Sequence, residues 1–166
     1  MFTVPLAKKS QNRIIKDIKI NEVEYKRWKN KFLKSLSFSY SKSKNFKDSI
    51  KIVEDVLELK TNFLVDLCEH SIEAVLNYLE IDTPVLRSSN LEVKIGLSEG
   101  RSDRLIDICK HLDCESYVNA SGGLDLYRKE YFKSKGIDLS FFSTDIKKYP
   151  QSGSKSFISH LSIIDV

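Results

Sequence analysis

The sequence predicts an α/β protein, with a helical, basic N-terminal half packed on a small parallel β-sheet of βαβαβ order. Three observations carry that expectation. Apolar residues recur at helical spacing through the first eighty positions. Short apolar runs then alternate with helical patterns between residues 83 and 142, and Gly136 sits where the last of those helical patterns stops. The chain has 166 residues, 41% of them hydrophobic, which suits a single domain over 1–166 with its own core. Six glycines and three prolines against 30% charged residues exclude a disordered or collagen-like chain.

Each element has its own signal. "FTVPL" is a short extended run that Pro5 places at an edge, and "RIIKDIKI" (13–20) reads as a second strand paired with it. Trp28, Phe32 and Leu36 recur at steps of four and predict a helix over about 22–36, which the serines of "SFSYSKSKNF" end. A second helix fits 47–59, with Ile50, Val53 and Leu57 on one side. The clearest helix starts at Thr61 as N-cap and carries Leu64, Leu67, Cys68, Ile72, Val75, Leu76 and Leu79, a stripe wide enough for the central helix of the core.

From residue 82 the pattern changes. "TPVLRSS" (83–89) reads as a strand and "EVKIGLSEGRS" (92–102) as a connector with room for a short strand. Ser102 or Asp103 then caps a helix carrying Leu105, Ile108, Cys109 and Leu112. "ESYVNA" (115–120) is a strand, "SGG" a turn, and a helix runs on to about 135. Gly136 stops it before the strand "IDLSFF" (137–142). A polar loop "YPQSG" and an apolar segment "FISHLSIIDV" end the chain, so that 1–82 form a strand pair plus helices and 83–166 an α/β portion.

Charge and cysteine usage bound the function. Residues 1–60 hold 15 Lys and Arg against 7 Asp and Glu, a net of +8, while the remainder holds 12 against 16, a net of −4. A basic N-terminal third suits nucleic acid, an anionic membrane surface or a phosphorylated substrate. Its lysines lack interleaved aromatics, so no specific nucleic acid is expected. No run approaches the ~18–20 apolar residues that span a bilayer, and "MFTVPLAKKS" reverses the order of a secretory signal. A cytoplasmic protein with at most peripheral membrane contact is expected. Cys68, Cys109 and Cys114 are read as reduced thiols, since Cys109, His111 and Cys114 match no zinc-finger or ribbon spacing. The sequence calls for no metal and no cofactor.

The candidate binding residues cluster at the ends of the predicted strands, where open parallel sheets hold their ligands. Arg87, Ser88 and Ser89 offer a guanidinium and two hydroxyls to a phosphate or carboxylate. Arg101 lies where it reaches over the sheet edge. Ser121, Gly122 and Gly123 have two readings, an anion cradle formed with the first amides of the next helix or a plain tight turn. Tyr127 faces either the site or the core. Tyr149 and Gln151 flank Pro150 at a rigid loop start, and Gln151 would position a substrate. His70 and His111 show no partner, His160 is spaced from Phe157 and Ile164 as a helical neighbour and reads as a packed or surface residue, and no motif identifies a nucleophile, so the catalytic residues are unknown.

Four pieces stand in a fixed order: "RSSNL" (87–91), "GRSDRLIDICKHLDCESYVNASGGLDLY" (100–127), "FKSKGIDLSFF" (132–142) and "YPQ…F…HLSIIDV" (149–166). Together with "FTVPLAKKSQNRIIKDIKIN", the Trp-containing basic helix and the "YSK" segment, this order resembles the WbqC-like family of bacterial polysaccharide-locus proteins. Asn119, Ser121, Gly123 and Tyr127 fall on the family's "SGPxGxxYL" pattern, without its proline. Family members usually begin with a further segment of about fifty residues, and this chain is expected to lack it. The resemblance implies surface-glycan (O-antigen) biosynthesis, with transfer of an amino-acid or acyl group onto a nucleotide-linked or lipid-linked sugar. The alternative is a truncated, non-catalytic binding or assembly module of the same fold. An N-terminal hairpin with a free edge would also allow a homodimer.

Overall fold

A computed structural model describes residues 2–7, 13–91, 100–151 and 156–165. Among them are five α-helices and one small parallel sheet, with the helices dominating the N-terminal half. The backbone divides into two compact units, one formed by Met1–Val85 with Lys147–Val166 and one by Leu86–Ile146.

In the first unit, α1 (Glu22–Tyr40) begins at Asn21, whose side chain accepts a hydrogen bond from the Glu24 amide at 3.2 Å. It runs one turn beyond the expected stop, because its serines need not break a helix and Ser35 bonds back to the Lys31 carbonyl. α2 (Phe46–Glu58) lies where expected. Phe32, Leu36 and Leu57 form the buried core between them, with Tyr25, Trp28, Leu33, Tyr40, Ile50, Val53 and Ile164 packed around it. Tyr25, Trp28 and Phe32 stack along α1 at centroid distances of 5.5 and 5.1 Å, and Phe2 meets Phe32 edge-on at 4.6 Å. The exposed Lys29–Glu58 pair at 2.7 Å ties the two helices and contributes little to stability.

Three expectations for this unit are corrected. Residues 13–20 are not a strand: Ile15–Asp17 form a single 3-10 turn, and the pairing with "FTVPL" shrinks to one antiparallel bridge, Leu6 to Ile20. Lys16 and Asp17 interrupt the alternation that a strand needs. α3 (Leu64–Tyr78) starts later than Thr61, whose hydroxyl instead accepts from the Phe63 amide at 3.1 Å and donates to Asp66 at 2.5 Å. Nor is α3 the centre of a core. Leu67 alone of its apolar stripe is buried, while Ile72, Leu79 and Cys68 are exposed. Helical periodicity reports one apolar face and does not rank faces by depth.

In the second unit, α4 (Arg101–His111) begins at Gly100, so neither Ser102 nor Asp103 is the N-cap residue. β1 (Ser116–Ala120) and β2 (Asp138–Phe142) pair in parallel, in register from Ser116 opposite Asp138 to Ala120 opposite Phe142. Between them come a 3-10 turn over Ser121–Gly123 and α5 (Lys129–Ser134). Gly136 adopts φ +84° and ends the helix as expected. Ile106, Cys109, Phe132, Ile137 and Leu139 are the buried core. Residues 83–89 are coil and turn, not a strand, so among the described residues one βαβ unit of the expected βαβαβ order is visible. Pro84 and the charged Arg87 disfavour a ladder there. The connector expected at 92–102 lies outside the described residues up to 99.

Candidate functional site

The sequence-predicted site residues divide between the units. Eight positions from Arg87 to Gly123, and Tyr127, belong to the second unit, whereas Tyr149 and Gln151 belong to the first.

In the second unit, Arg87 to Asn90 form a turn closed by the Asn90 amide to the Arg87 carbonyl at 2.9 Å. Ser88 accepts from the Arg104 guanidinium at 3.3 Å, and Ser89 donates to Asn90 at 3.4 Å. Arg101 is exposed at the start of α4. Asn119 is half-buried on β1, with its side-chain oxygen 2.7 Å from the Ala120 amide that donates to it. Gly123 is buried, and a Cβ there would stand 2.7 Å from Asn119 Nδ2 and 3.3 Å from a Phe141 ring carbon. A Cβ on Gly122 would meet open space. A side chain at Gly123 would crowd Asn119 and Phe141, which gives the turn reading a packing cause. The helix that an amide cradle needs starts only at Lys129 and is six residues long. Tyr127 packs edge-on against Phe132 at 6.0 Å, on the core side.

The first unit holds a cavity of about 410 Å³, within the range of small-molecule sites. Its apolar wall comes from Leu36 on α1 and from Ile50 and Val53 on α2, continued by Ile164. Lys42, Ser43, Lys44 and Asn45, between the two helices, lie along it, as do Tyr149, Pro150 and Gln151. The C-terminal segment completes the wall through Asp165. That carboxylate accepts from Tyr40 Oη at 2.8 Å on Oδ1, and on Oδ2 from Tyr149 Oη at 2.8 Å and Gln151 Nε2 at 2.9 Å. Gln151 in turn is fixed to Ile158, donating to its carbonyl at 2.8 Å and accepting from its amide at 2.8 Å. Tyr149 stands edge-on to Phe157 at 5.3 Å.

The electrostatics follow from this network. The hydrogen bond to Asp165 raises the Tyr40 pKa above the ordinary phenol value, with burial adding to it. Burial and then the same carboxylate raise Tyr149, against an opposing hydrogen bond from Gln151. Both phenols are thus protonated donors near neutral pH and poor nucleophiles. A carboxylate has about four acceptor sites, and among the described residues three are occupied, which leaves Oδ1 able to accept one more hydroxyl proton. Lys42 and Lys44 add positive charge just before the N-terminus of α2. The cavity lining therefore offers an acceptor to a hydroxyl group and two cations to a negative charge.

Sequence reasoning reached Tyr149 and Gln151 but not Tyr40, Lys42, Lys44 or Asp165. The signal existed in the "YSK" and "SIIDV" pieces, whose partners stand 125 residues apart. His70, expected to lack a partner, lies 3.2 Å from Asp55. His160 is exposed at φ +58° in a non-helical segment, so its expected helical neighbourhood with Phe157 and Ile164 is corrected. Burial raises the Cys109 thiol pKa. Among the described residues no group of three His, Cys, Asp or Glu is placed to hold a metal ion, and no helix is long and apolar enough to cross a membrane.

Fold and cavity together define a mixed helix-and-sheet protein with a cavity of mixed apolar and polar lining in its helical unit. The chain belongs to the WbqC-like protein family, whose model matches residues 1–166. No curated protein and no solved structure matches it.

Proposed function

We propose that this protein acts in surface-glycan (O-antigen) biosynthesis as a transferase of an amino-acid or acyl group onto a nucleotide-linked or lipid-linked sugar. Family membership supports the pathway class. The observation that carries the ligand class is Asp165, held among the described residues by Tyr40, Tyr149 and Gln151 with one acceptor site to spare, on a cavity that Lys42 and Lys44 also line. A spare carboxylate acceptor suits a sugar hydroxyl, and the lysines suit the phosphate to which that sugar is linked. At about 410 Å³ the cavity takes a sugar phosphate and leaves a nucleotide or lipid outside.

A second reading, a non-catalytic binding module, is favoured by one feature. Gln151 and Asp165 spend most of their hydrogen-bonding capacity on their own neighbours, which fixes geometry but leaves neither poised to move a proton. A thermal-shift panel of nucleotide-sugars, free nucleotides, inorganic phosphate and coenzyme A tests the ligand class. A ligand at a hundredfold over its dissociation constant stabilises by about 2.7 kcal/mol, several degrees in melting temperature. A shift confined to nucleotide-sugars and lost in Lys42→Ala/Lys44→Ala supports the proposal. A shift with none of the panel, in a protein that melts cooperatively, contradicts it. Turnover of the bound nucleotide-sugar with an acyl or aminoacyl donor separates transferase from module.

A further inference from the structure

Helix α1 turns its aromatic side to the core, and its opposite side follows a different chemistry. Val23, Arg27, Lys31, Lys34 and Phe38 recur at steps of four, four, three and four, so they fall on one stripe of the helix. All five are exposed, Val23 at 66% and Phe38 at 92%. Asn30, Ser35 and Ser39 flank the stripe and line a shallow groove with its cations and Phe38. Among the described residues none of the three cations has an acidic partner within ion-pair distance. The acids of α1, Glu22 and Glu24, stand in its first turn. The wider segment agrees, since residues 1–60 carry 15 Lys and Arg against 7 Asp and Glu.

We propose that this outer stripe of α1 docks the protein on an anionic phospholipid surface. Arg27, Lys31 and Lys34 would lie among the headgroups, and Phe38 and Val23 would enter the acyl boundary on either side of them. Charge complementarity selects the partner, since three unanswered cations in a row meet a field of phosphates. The apolar ends select a membrane over a nucleic acid. A phosphate backbone gains nothing from a nine-tenths exposed phenyl ring at the end of the stripe, and a single aromatic is no stacking platform. The inference rests on this face alone and does not depend on the cavity. It would bring the protein to the surface where lipid-linked sugars reside.

The test is co-sedimentation of the full chain with vesicles of phosphatidylcholine alone and of equal parts phosphatidylcholine and phosphatidylglycerol, in low and high salt. Two charge-matched variants accompany it. One carries Arg27→Gln, Lys31→Gln and Lys34→Gln, and the other removes three exposed lysines elsewhere, Lys110→Gln, Lys133→Gln and Lys148→Gln. Circular dichroism melts confirm that both are folded. The wild type should bind the anionic vesicles only and release in high salt. The stripe variant should lose on the order of a hundredfold in affinity, the control variant far less, and Phe38→Ser should lose several-fold. Equal binding to neutral vesicles, equal loss in both triple variants, or unchanged binding by the stripe variant would overturn the proposal. So would stripe-dependent retention on duplex DNA or RNA without vesicle binding.

Discussion

Tyr40, the last residue of α1, donates its hydroxyl proton at 2.8 Å to Asp165, 125 residues further along the chain. That bond, with those from Tyr149 and Gln151 to the same carboxylate, joins the C-terminal segment to the helical pair and forms one wall of the cavity. Ile164 beside it packs on the Phe32–Leu36–Leu57 core. The described parts of this segment, 149–151 and 156–165, contain no helix or strand, and these interactions help to hold them in place.

Replacing the carboxylate should therefore loosen the site and the unit together. Asp165→Ala removes the acceptor of three hydrogen bonds, each with a net value of about 1 kcal/mol. A loss of about 2–3 kcal/mol in denaturant unfolding is expected, against about 1 kcal/mol for Tyr40→Phe. A double-mutant cycle between the two should show coupling, and strict additivity would mean the bond contributes nothing.

The phenols give the network a pH signature. The Tyr40 pKa is raised by its bond to Asp165 and then by burial, and the Tyr149 pKa by burial and then Asp165. A folded-state pKa raised above the unfolded value favours the protonated, folded form. The stabilisation is fully present below the ordinary phenol value of about 10 and is lost as pH rises through the folded value. An ultraviolet titration of tyrosinate should show late-ionising phenols, and Asp165→Asn should move Tyr40 back toward the ordinary range. Identical titrations for the two proteins would contradict the assignment.

The two glycines of the SGG turn should behave differently. At Gly123 a methyl group would stand 2.7 Å from Asn119 Nδ2, so Gly123→Ala must displace that side chain and should cost about 1–3 kcal/mol. Gly122→Ala meets open space and should be near neutral. Comparing their melting temperatures checks the packing role of Gly123. Equal effects would reject it.

Phe132 is fully buried, stacked on Tyr117 at 6.0 Å and edge-on to Tyr127. Phe132→Ala should cost about 3–5 kcal/mol. Hydrogen exchange should then accelerate in β1, β2 and α4, whose Ile106, Cys109 and Leu139 share its core. Unchanged protection there would show that this cluster is not what holds the sheet.

Much of the fold could be read along the chain, and the reasons it failed elsewhere are physical. α1, α2, β1 and β2 carry strong local periodicity, and Gly136 has the one backbone conformation that glycine accepts most readily, so they were legible within a few residues. Residues 13–20 and 83–89 look like strands by composition but form no ladder among the described residues, because a strand depends on a partner that local sequence does not reveal. The depth of α3 was misjudged for the same reason, since an apolar stripe does not say what covers it. Tyr149 and Gln151 stood out because a proline loop is visible locally. Their partners Tyr40 and Asp165 are ordinary residues until the chain brings them together. Lysines in a basic tract likewise look alike until two of them, Lys42 and Lys44, border a cavity.

The proposed function requires this cavity to hold the phosphate-bearing sugar. Its most direct test is a calorimetric titration of one nucleotide-sugar, the ligand giving the largest thermal shift, into three proteins: wild type, Lys42→Ala/Lys44→Ala and Gly122→Asp. The Gly122 site has room for a side chain, so its variant is a folded probe of the SGG loop. The account predicts that the double lysine variant loses at least tenfold in affinity, about 1.4 kcal/mol, while Gly122→Asp binds as the wild type does. Loss of binding in Gly122→Asp with full binding in the lysine variant would contradict the account and move the site to the end of β1.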